Sequence, residues 1–221
     1  MNFTALLTSA AFTILASMPN TIPNQLPPQV SAYATSYVNQ VTSAKTADSS
    51  AISCENSDPK KAYYIDSLPL SKQEQKIIYD TCLEYHVSYT LVLGILKTES
   101  NFNSSCISHN SNGTTDAGIA QINSAYQDTY AARAQIPPNE FDPLTFTHAI
   151  RALCGQIAYL NHYYAPRGYS AAKQTLYVLN SYNMGPTGYA RFVKERHTLS
   201  RYYDKRVLAN QELYNKSLNL E

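Results

Sequence analysis

The sequence predicts a mainly α-helical domain that follows a long uncharged amino-terminal stretch. All 17 Lys and Arg and all 16 Asp and Glu residues lie from Lys45 onward. In that charged part, apolar residues recur at the three- and four-residue spacing of helices. No run alternates clearly with a two-residue period, apart from a short piece within residues 101–117. We therefore expect six to eight helices, with a polar loop or small hairpin at 101–117.

The chain divides by composition into three parts. Residues 5–16 form an apolar run of signal-peptide length, too short for a standard transmembrane helix, although no Lys or Arg precedes it. We interpret residues 1–18 as a signal-like or anchor segment. Residues 19–53 are rich in Pro, then in Ser, Thr and Ala, which is typical of a flexible linker. The folded domain is expected over residues 54–221.

Charge and cysteine content exclude some classes of protein. The formal net charge of +1 gives no basis for a nucleic-acid-binding surface. The four cysteines are widely spaced, without a C-x-x-C pair or a Cys/His cluster, so no metal site is expected. In an exported protein they predict two disulfides with the pairing left open; the alternative is four buried thiols in a cytosolic protein. They are Cys54, Cys82, Cys106 and Cys154.

The first two helices have clear start signals. Ser71 and Glu74 form a capping box, and apolar residues follow at helical spacing as far as Tyr85. Ser88 can cap a second, more apolar helix that ends near Glu99 and Ser100.

The later helices follow from similar signals. Asp142 and Pro143 predict a helix start, because Asp caps and Pro fits the first helical position. The apolar face that follows extends to Leu160. Further helices are expected at residues 118–130, 171–182, 187–196 and 200–218.

Glu99 is the strongest candidate for a catalytic residue. It lies at the end of an apolar helix, where the helix dipole and apolar neighbours both disfavour ionisation. A carboxyl that keeps its proton near neutral pH can protonate a leaving oxygen. Asp116, 17 residues later, is a candidate second carboxylate of the kind that glycoside cleavage usually needs. We favour a simpler role for Asp116, either as the cap of a helix that starts near Gly118 or as support for the loop.

Three short motifs occur in order along the chain, and the first of them contains Glu99. Together they resemble the signatures of the soluble lytic transglycosylase (SLT) domain, which is lysozyme-like. They are Glu99-Ser100-x-Phe102, Gly118-x-x-Gln121 and Tyr182-Asn183-x-Gly185-Pro186. The resemblance covers about residues 70–195. Residues 116–123 resemble most the specialised transglycosylases of secretion and conjugation systems.

Two features depart from the family pattern. Ala120 stands where many transglycosylases have Met, and Asp142-Pro143 is not followed by the usual Asn and Gly. The spacing from Glu99 to Asp116 also resembles C-type lysozyme, but the lysozyme cysteine pattern is absent.

The resemblance implies an enzyme that cleaves the β-1,4 bond between N-acetylmuramic acid and N-acetylglucosamine in peptidoglycan and forms 1,6-anhydromuramic ends. Glu99 would be the general acid, and no cofactor is implied. Ser100, Gln121, Tyr182 and Asn183 would line the sugar groove. For these residues the alternatives are a local hydrogen bond for Ser100, a helix surface for Gln121 and core packing for Tyr182.

Two other functions stay open from the sequence. One is a lysozyme-type hydrolase of the same bond, assisted by Asp116. The other is a non-catalytic wall-binding or structural module. The expected partners are peptidoglycan glycan strands, without nucleic acid, and a secretion, conjugation or phage apparatus. We expect a monomer that is exported to the cell envelope, the periplasm or the exterior.

Overall fold

The computed structural model describes residues 63–220, which form six α-helices and a small three-stranded antiparallel sheet. The predicted mainly α class is therefore confirmed. The expected leader and linker, residues 1–53, lie outside the described residues. None of the helices within 63–220 is both long enough and apolar enough to span a bilayer. The helices are α1 Lys72–Tyr85, α2 Tyr89–Ser100, α3 Gln127–Ala134, α4 Phe146–Tyr164, α5 Ala171–Arg196 and α6 Tyr202–Ser217.

Helices α1 and α2 begin where the sequence predicts. The Ser71 side chain accepts from the Glu74 backbone, and the Glu74 carboxylate accepts from the Ser71 backbone at 2.7 Å, so the capping box is formed. Ser88 caps α2 by accepting from the Leu91 backbone. Each cap satisfies amide groups that a helix start leaves without a partner in the helix. The Ser88 cap therefore fixes where α2 begins.

The polar segment after α2 folds into the predicted small hairpin. Strand β1 is Ile107–His109, β2 is Thr115–Ala117 and β3 is Ile122–Asn123, in the order β1-β2-β3. The helix predicted over residues 118–130 is wrong. Gly118 and Gln121 have positive φ angles of 77° and 48°, which a helix cannot contain, and α3 begins only at Gln127.

The boundaries of α4 and α5 also differ from the prediction. Helix α4 begins at Phe146, because the Asp142 carboxylate accepts from the Leu144 backbone at 2.9 Å and from the Thr145 hydroxyl at 3.0 Å and so forms a turn. The helices predicted at 171–182 and 187–196 are two arms of α5. The arms meet at Gly185, whose φ of 73° and ψ of 153° are not helical.

Helix α2 lies at the centre of the core and is crossed closely by α6. Leu93, Ile95 and Leu96 are fully buried. A Cβ atom on Gly94 would lie 2.7 Å from the Val207 carbonyl oxygen, closer than real Cβ contacts come. Only glycine at this position lets the backbone of α6 approach α2. The approach brings the first turn of α6 to the end of α2.

The cysteines do not form the expected disulfides among the described residues. Cys82 of α1 and Cys154 of α4 are buried thiols whose Sγ atoms lie 3.9 Å apart, at van der Waals contact. Burial raises the pKa of the Cys82 thiol well above its ordinary value. Cys106 is a half-buried thiol before β1, and Cys54 lies outside the described residues.

Candidate active site

Glu99 lies one residue before the end of α2 and is half-buried. Its Oε1 atom accepts a hydrogen bond of 2.6 Å from the Tyr203 hydroxyl of α6. This contact depends on the close crossing of α2 and α6 at Gly94. A bond between residues 104 positions apart in the chain therefore fixes the orientation of the carboxyl.

The surroundings of Glu99 favour its protonated form. The pKa of Glu99 is raised from 4.5 to about 7. Burial is the largest cause and the charge of Asp116 adds to it, while the Tyr203 hydrogen bond and the charge of Arg206 act in the opposite direction. Desolvation dominates because a carboxylate loses more hydration than a carboxylic acid when it is buried. Near neutral pH this carboxyl can both give and take a proton.

Two tyrosines near Glu99 are absent from the sequence-predicted site. Tyr203 is buried on the same face of α6 as Val207 and Tyr214. The spacings of four and seven residues between these three side chains place them on one apolar helix face, whereas Tyr202 is exposed. This spacing is the sequence signal that could have identified Tyr203 as buried. Tyr130 of α3 is the second, and burial and the charges of Glu99 and Asp116 raise its pKa above the ordinary range. Both hydroxyls therefore stay protonated and can donate.

Asp116 is held in the middle of the sheet. Its Oδ2 accepts from Asn110 Nδ2 at 2.9 Å, and its Oδ1 accepts from Asn123 Nδ2 at 2.7 Å. The expected role as a helix cap near Gly118 is wrong, because no helix starts there and Asp116 lies on β2, paired with Ser108 and Asn123. Its charge contributes to the raised pKa of Glu99, so the two carboxyls lie close enough to interact.

Gln121 holds together the turn between β2 and β3. Its Nε2 donates to the Gly118 carbonyl at 2.9 Å and to the Cys106 carbonyl at 3.2 Å, and its Oε1 accepts from Ser108 Oγ at 2.9 Å. Gly118 is required in this turn, because a Cβ there would lie 1.9 Å from the Pro143 carbonyl oxygen. The motif Gly118-x-x-Gln121 thus has a physical basis in the turn itself.

Ser100 and Tyr182 attach the same turn to the helices. Ser100 Oγ donates to the Ile119 carbonyl at 2.8 Å, and the Tyr182 hydroxyl of α5 donates to the Ala120 carbonyl at 2.7 Å. Burial raises the pKa of Tyr182 well above its ordinary value, and the charge of Glu99 contributes. Tyr182 is therefore both packed in the core and close to the catalytic candidate.

Asn183 follows Tyr182 but is exposed, and its Oδ1 accepts from Arg201 at 2.9 Å. Its side-chain amide nitrogen donates no hydrogen bond to any other residue within 63–220. Over the same residues, no three His, Cys, Asp or Glu side chains lie close enough to hold a metal ion together.

The structure thus joins a proton-exchanging carboxyl at the end of a buried helix to a small sheet that carries a second carboxylate. Two carboxyl groups at one site are the arrangement that most enzymes of glycoside cleavage use. The chain matches the family described as Transglycosylase SLT domain over residues 77–204, more than half of its 221 residues, and it belongs to that family. The match includes Glu99, Asp116, Tyr182 and Tyr203. No curated protein matches the chain at a significant level.

Proposed function

We propose that this protein is a peptidoglycan lytic transglycosylase that cleaves the β-1,4 bond between N-acetylmuramic acid and N-acetylglucosamine and leaves 1,6-anhydromuramic ends. The observation that carries the proposal is the state of Glu99, whose pKa is raised to about 7 and whose carboxyl is oriented by Tyr203. Membership of the SLT family supports peptidoglycan as the substrate.

In the first step, protonated Glu99 gives its proton to the glycosidic oxygen as the bond from that oxygen to the muramic C1 breaks. The electron pair of the bond stays with the leaving oxygen. The carbonyl oxygen of the substrate's own N-acetyl group bonds to C1 and meets the positive charge that develops there. Glu99 is left as a carboxylate, and the Tyr203 hydrogen bond stabilises that charged form.

In the second step, the Glu99 carboxylate takes the proton of the muramic 6-hydroxyl. The oxygen of that hydroxyl attacks C1 and displaces the acetamido oxygen, which closes the 1,6-anhydro ring. One carboxyl therefore acts first as acid and then as base. A pKa near the working pH suits both roles, since either form is substantially populated. The sequence of steps uses no cofactor.

The alternative is hydrolysis with Asp116 as nucleophile or charge stabiliser and with water as the acceptor. In favour of this alternative, the charge of Asp116 acts on Glu99. Against it, both Asp116 oxygens already accept hydrogen bonds from Asn110 and Asn123, which lowers the nucleophilicity of the carboxylate. We therefore assign Asp116 to the support of the sheet and to raising the pKa of Glu99.

We also propose that the enzyme is exported and acts in the cell envelope, the periplasm or the exterior, within a secretion, conjugation or phage apparatus. The apolar run at residues 5–16 supports export. The resemblance of residues 116–123 to the specialised transglycosylases of secretion and conjugation systems supports the proposed place in such an apparatus. We further propose a monomer with glycan strands as its partner.

The experiment that tests the proposed function is lysis of purified cell walls by the wild type and by Glu99→Gln. The substitution keeps the size of the side chain and an acceptor for Tyr203 but removes the transferable proton. We expect a rate loss of about 10²–10⁴ with an unchanged circular dichroism spectrum.

Glu195→Gln is the matched control, because Glu195 is an exposed carboxyl on α5. It should lyse walls at the wild-type rate. Lysis by Glu99→Gln at the wild-type rate would contradict the catalytic role. Binding of walls by the wild type without any lysis would support the non-catalytic module instead.

A further inference from the structure

A cavity of about 210 Å³ lies between the end of α4 and α5, and none of its lining residues belongs to the candidate active site. We call it the tyrosine pocket. Its main walls are Tyr163, Tyr164, Arg167, Tyr169, Tyr177 and Pro186. Pockets for drug-sized ligands begin at about 300 Å³. A cavity of this size suits one sugar or amino-acid residue of a longer ligand.

The aromatic walls of the tyrosine pocket hold one another in place. The ring centroids of Tyr169 and Tyr177 lie 4.6 Å apart, and those of Tyr164 and Tyr177 lie 5.2 Å apart. The Tyr164 hydroxyl forms a hydrogen bond of 2.6 Å with Ser181 Oγ. Contacts of this kind fix side chains that would otherwise lose freedom on binding, so the pocket is preformed for a ligand.

One cation, Arg167, lines the pocket, and a second, Lys173, lies against the ring of Tyr169 in its wall. None of the lining residues carries a carboxylate. The Arg167 guanidinium lies over Tyr163, 4.3 Å from the ring centroid, and Lys173 Nζ lies 4.2 Å from the centroid of Tyr169. Between Asp142 and Glu195 the chain has no acidic residue.

The three ion pairs within residues 63–220 involve neither Arg167 nor Lys173. Arg167 also donates to the Tyr163 carbonyl, which positions its planar group and leaves other N–H donors for a ligand. A guanidinium in a fixed plane matches a carboxylate by two parallel hydrogen bonds.

We propose that the tyrosine pocket binds a carboxylate-bearing amino acid of the peptide stem of peptidoglycan, while the glycan strand that carries the stem occupies the active site. This inference rests on the proposed function. Arg167 binds the carboxylate, and the tyrosine rings contact the amide planes and methyl groups of the stem. The two sites share α5, on which Asn183 of the predicted sugar groove is three residues from Pro186 of the pocket.

The test is calorimetric titration of the full-length protein with three probes. N-acetylmuramyl-L-alanyl-D-isoglutamine carries a stem with a free carboxylate, its amidated analogue lacks that charge, and a disaccharide of N-acetylglucosamine lacks the stem. We expect the first probe to bind at least about tenfold more tightly than the second, because hydrogen bonds to a charged group are the stronger kind.

Arg167→Gln should remove this preference for the charged probe and leave binding of the disaccharide unchanged. Arg191→Gln is the matched control, because Arg191 is an exposed cation on the same acid-free stretch and does not line the pocket. It should bind all three probes as the wild type does. Thermal melting of both variants checks that each one folds.

Equal affinity of the wild type for the charged and amidated probes would overturn the proposal. So would an unchanged affinity of Arg167→Gln for the charged probe. A loss of disaccharide binding in Arg167→Gln would also overturn it, because the pocket would then be a sugar site. None of the probes has to be cleaved, so the outcome is independent of the chemical step. Wild-type walls left intact while the charged probe binds would contradict the proposed reaction and leave the pocket assignment standing.

Discussion

The raised pKa of Glu99 has a consequence for stability that can be measured without substrate. In the unfolded chain the carboxyl loses its proton near pH 4.5, whereas in the folded protein it keeps the proton up to about pH 7. Between these values the folded state binds more protons than the unfolded state, so the free energy of unfolding falls as the pH rises through this window. Above pH 7 the loss is complete.

The magnitude follows from the two pKa values. The difference between about 7 and 4.5, at about 1.4 kcal/mol for each pH unit, corresponds to about 3 kcal/mol. Water that reaches the half-buried carboxyl reduces this figure, and we expect about 1–3 kcal/mol. Glu99→Gln carries no charge at any pH and keeps an acceptor for Tyr203. It should match the wild type near pH 4 and be more stable by about 1–3 kcal/mol at pH 8.

The assay is urea unfolding, followed by circular dichroism, of the wild type, Glu99→Gln and the exposed control Glu195→Gln at several values between pH 4 and 8.5. The stability difference between Glu99→Gln and the wild type should grow between pH 4.5 and 7, and no such growth is expected for the control. A constant difference across the range would refute a pKa near 7 for Glu99, and with it the physical reason for its role as the acid.

Three further predictions concern the surroundings of Glu99 and the core. Asp116→Asn should lower wall lysis by less than about tenfold and preserve the anhydro product, because we assign Asp116, which accepts hydrogen bonds from Asn110 and Asn123, to the support of the sheet. Tyr203→Phe should slow lysis about tenfold and move the alkaline limb of the pH–rate profile upward, since the lost hydrogen bond favours the charged form of Glu99. Cys82 and Cys154 are thiols in the structure, but their Sγ atoms lie only 3.9 Å apart. Production in an oxidising compartment should therefore oxidise the pair to a disulfide, so that reducing agent lowers the melting temperature of the protein.

Each of these predictions has a result that would contradict it. Loss of activity by several orders of magnitude in Asp116→Asn, with reducing sugar ends from the wild type, would favour the hydrolase. An unshifted pH–rate profile in Tyr203→Phe would show that the Tyr203 hydroxyl does not act through Glu99. Such a result would mean that Tyr203 only packs against α2. Two free thiols at Cys82 and Cys154 in oxidised, denatured protein would exclude the disulfide.

Much of the helical part of the fold is readable from the sequence, because its signals are local. Ser71 and Ser88 start helices through bonds to residues three positions away, and the apolar face of α2 leads directly to Glu99. The helix predictions that were wrong also concern local features. Asp142 caps a turn instead of a helix, and nothing in the composition of residues 118–130 reveals the positive φ angle at Gln121.

The site is less predictable than the fold because it depends on contacts between distant parts of the chain. One turn accepts hydrogen bonds from the side chains of Ser100, Gln121 and Tyr182. The acceptors are backbone carbonyl oxygens, which every residue has, so the sequence does not reveal these contacts. The partner of Glu99 is Tyr203, on a helix whose approach depends on a glycine in α2. The sequence points to Glu99 as the candidate acid, but it does not show which group orients the Glu99 carboxyl.

The central claim is that Glu99 acts alone as acid and then as base, so that the sugar's own hydroxyl is the acceptor. Mass spectrometry of the fragments released from purified peptidoglycan tests this most directly. The wild type should release fragments with 1,6-anhydromuramic ends, and Glu99→Gln should release none. Fragments that carry only reducing muramic ends would contradict the claim, because they require water as the acceptor.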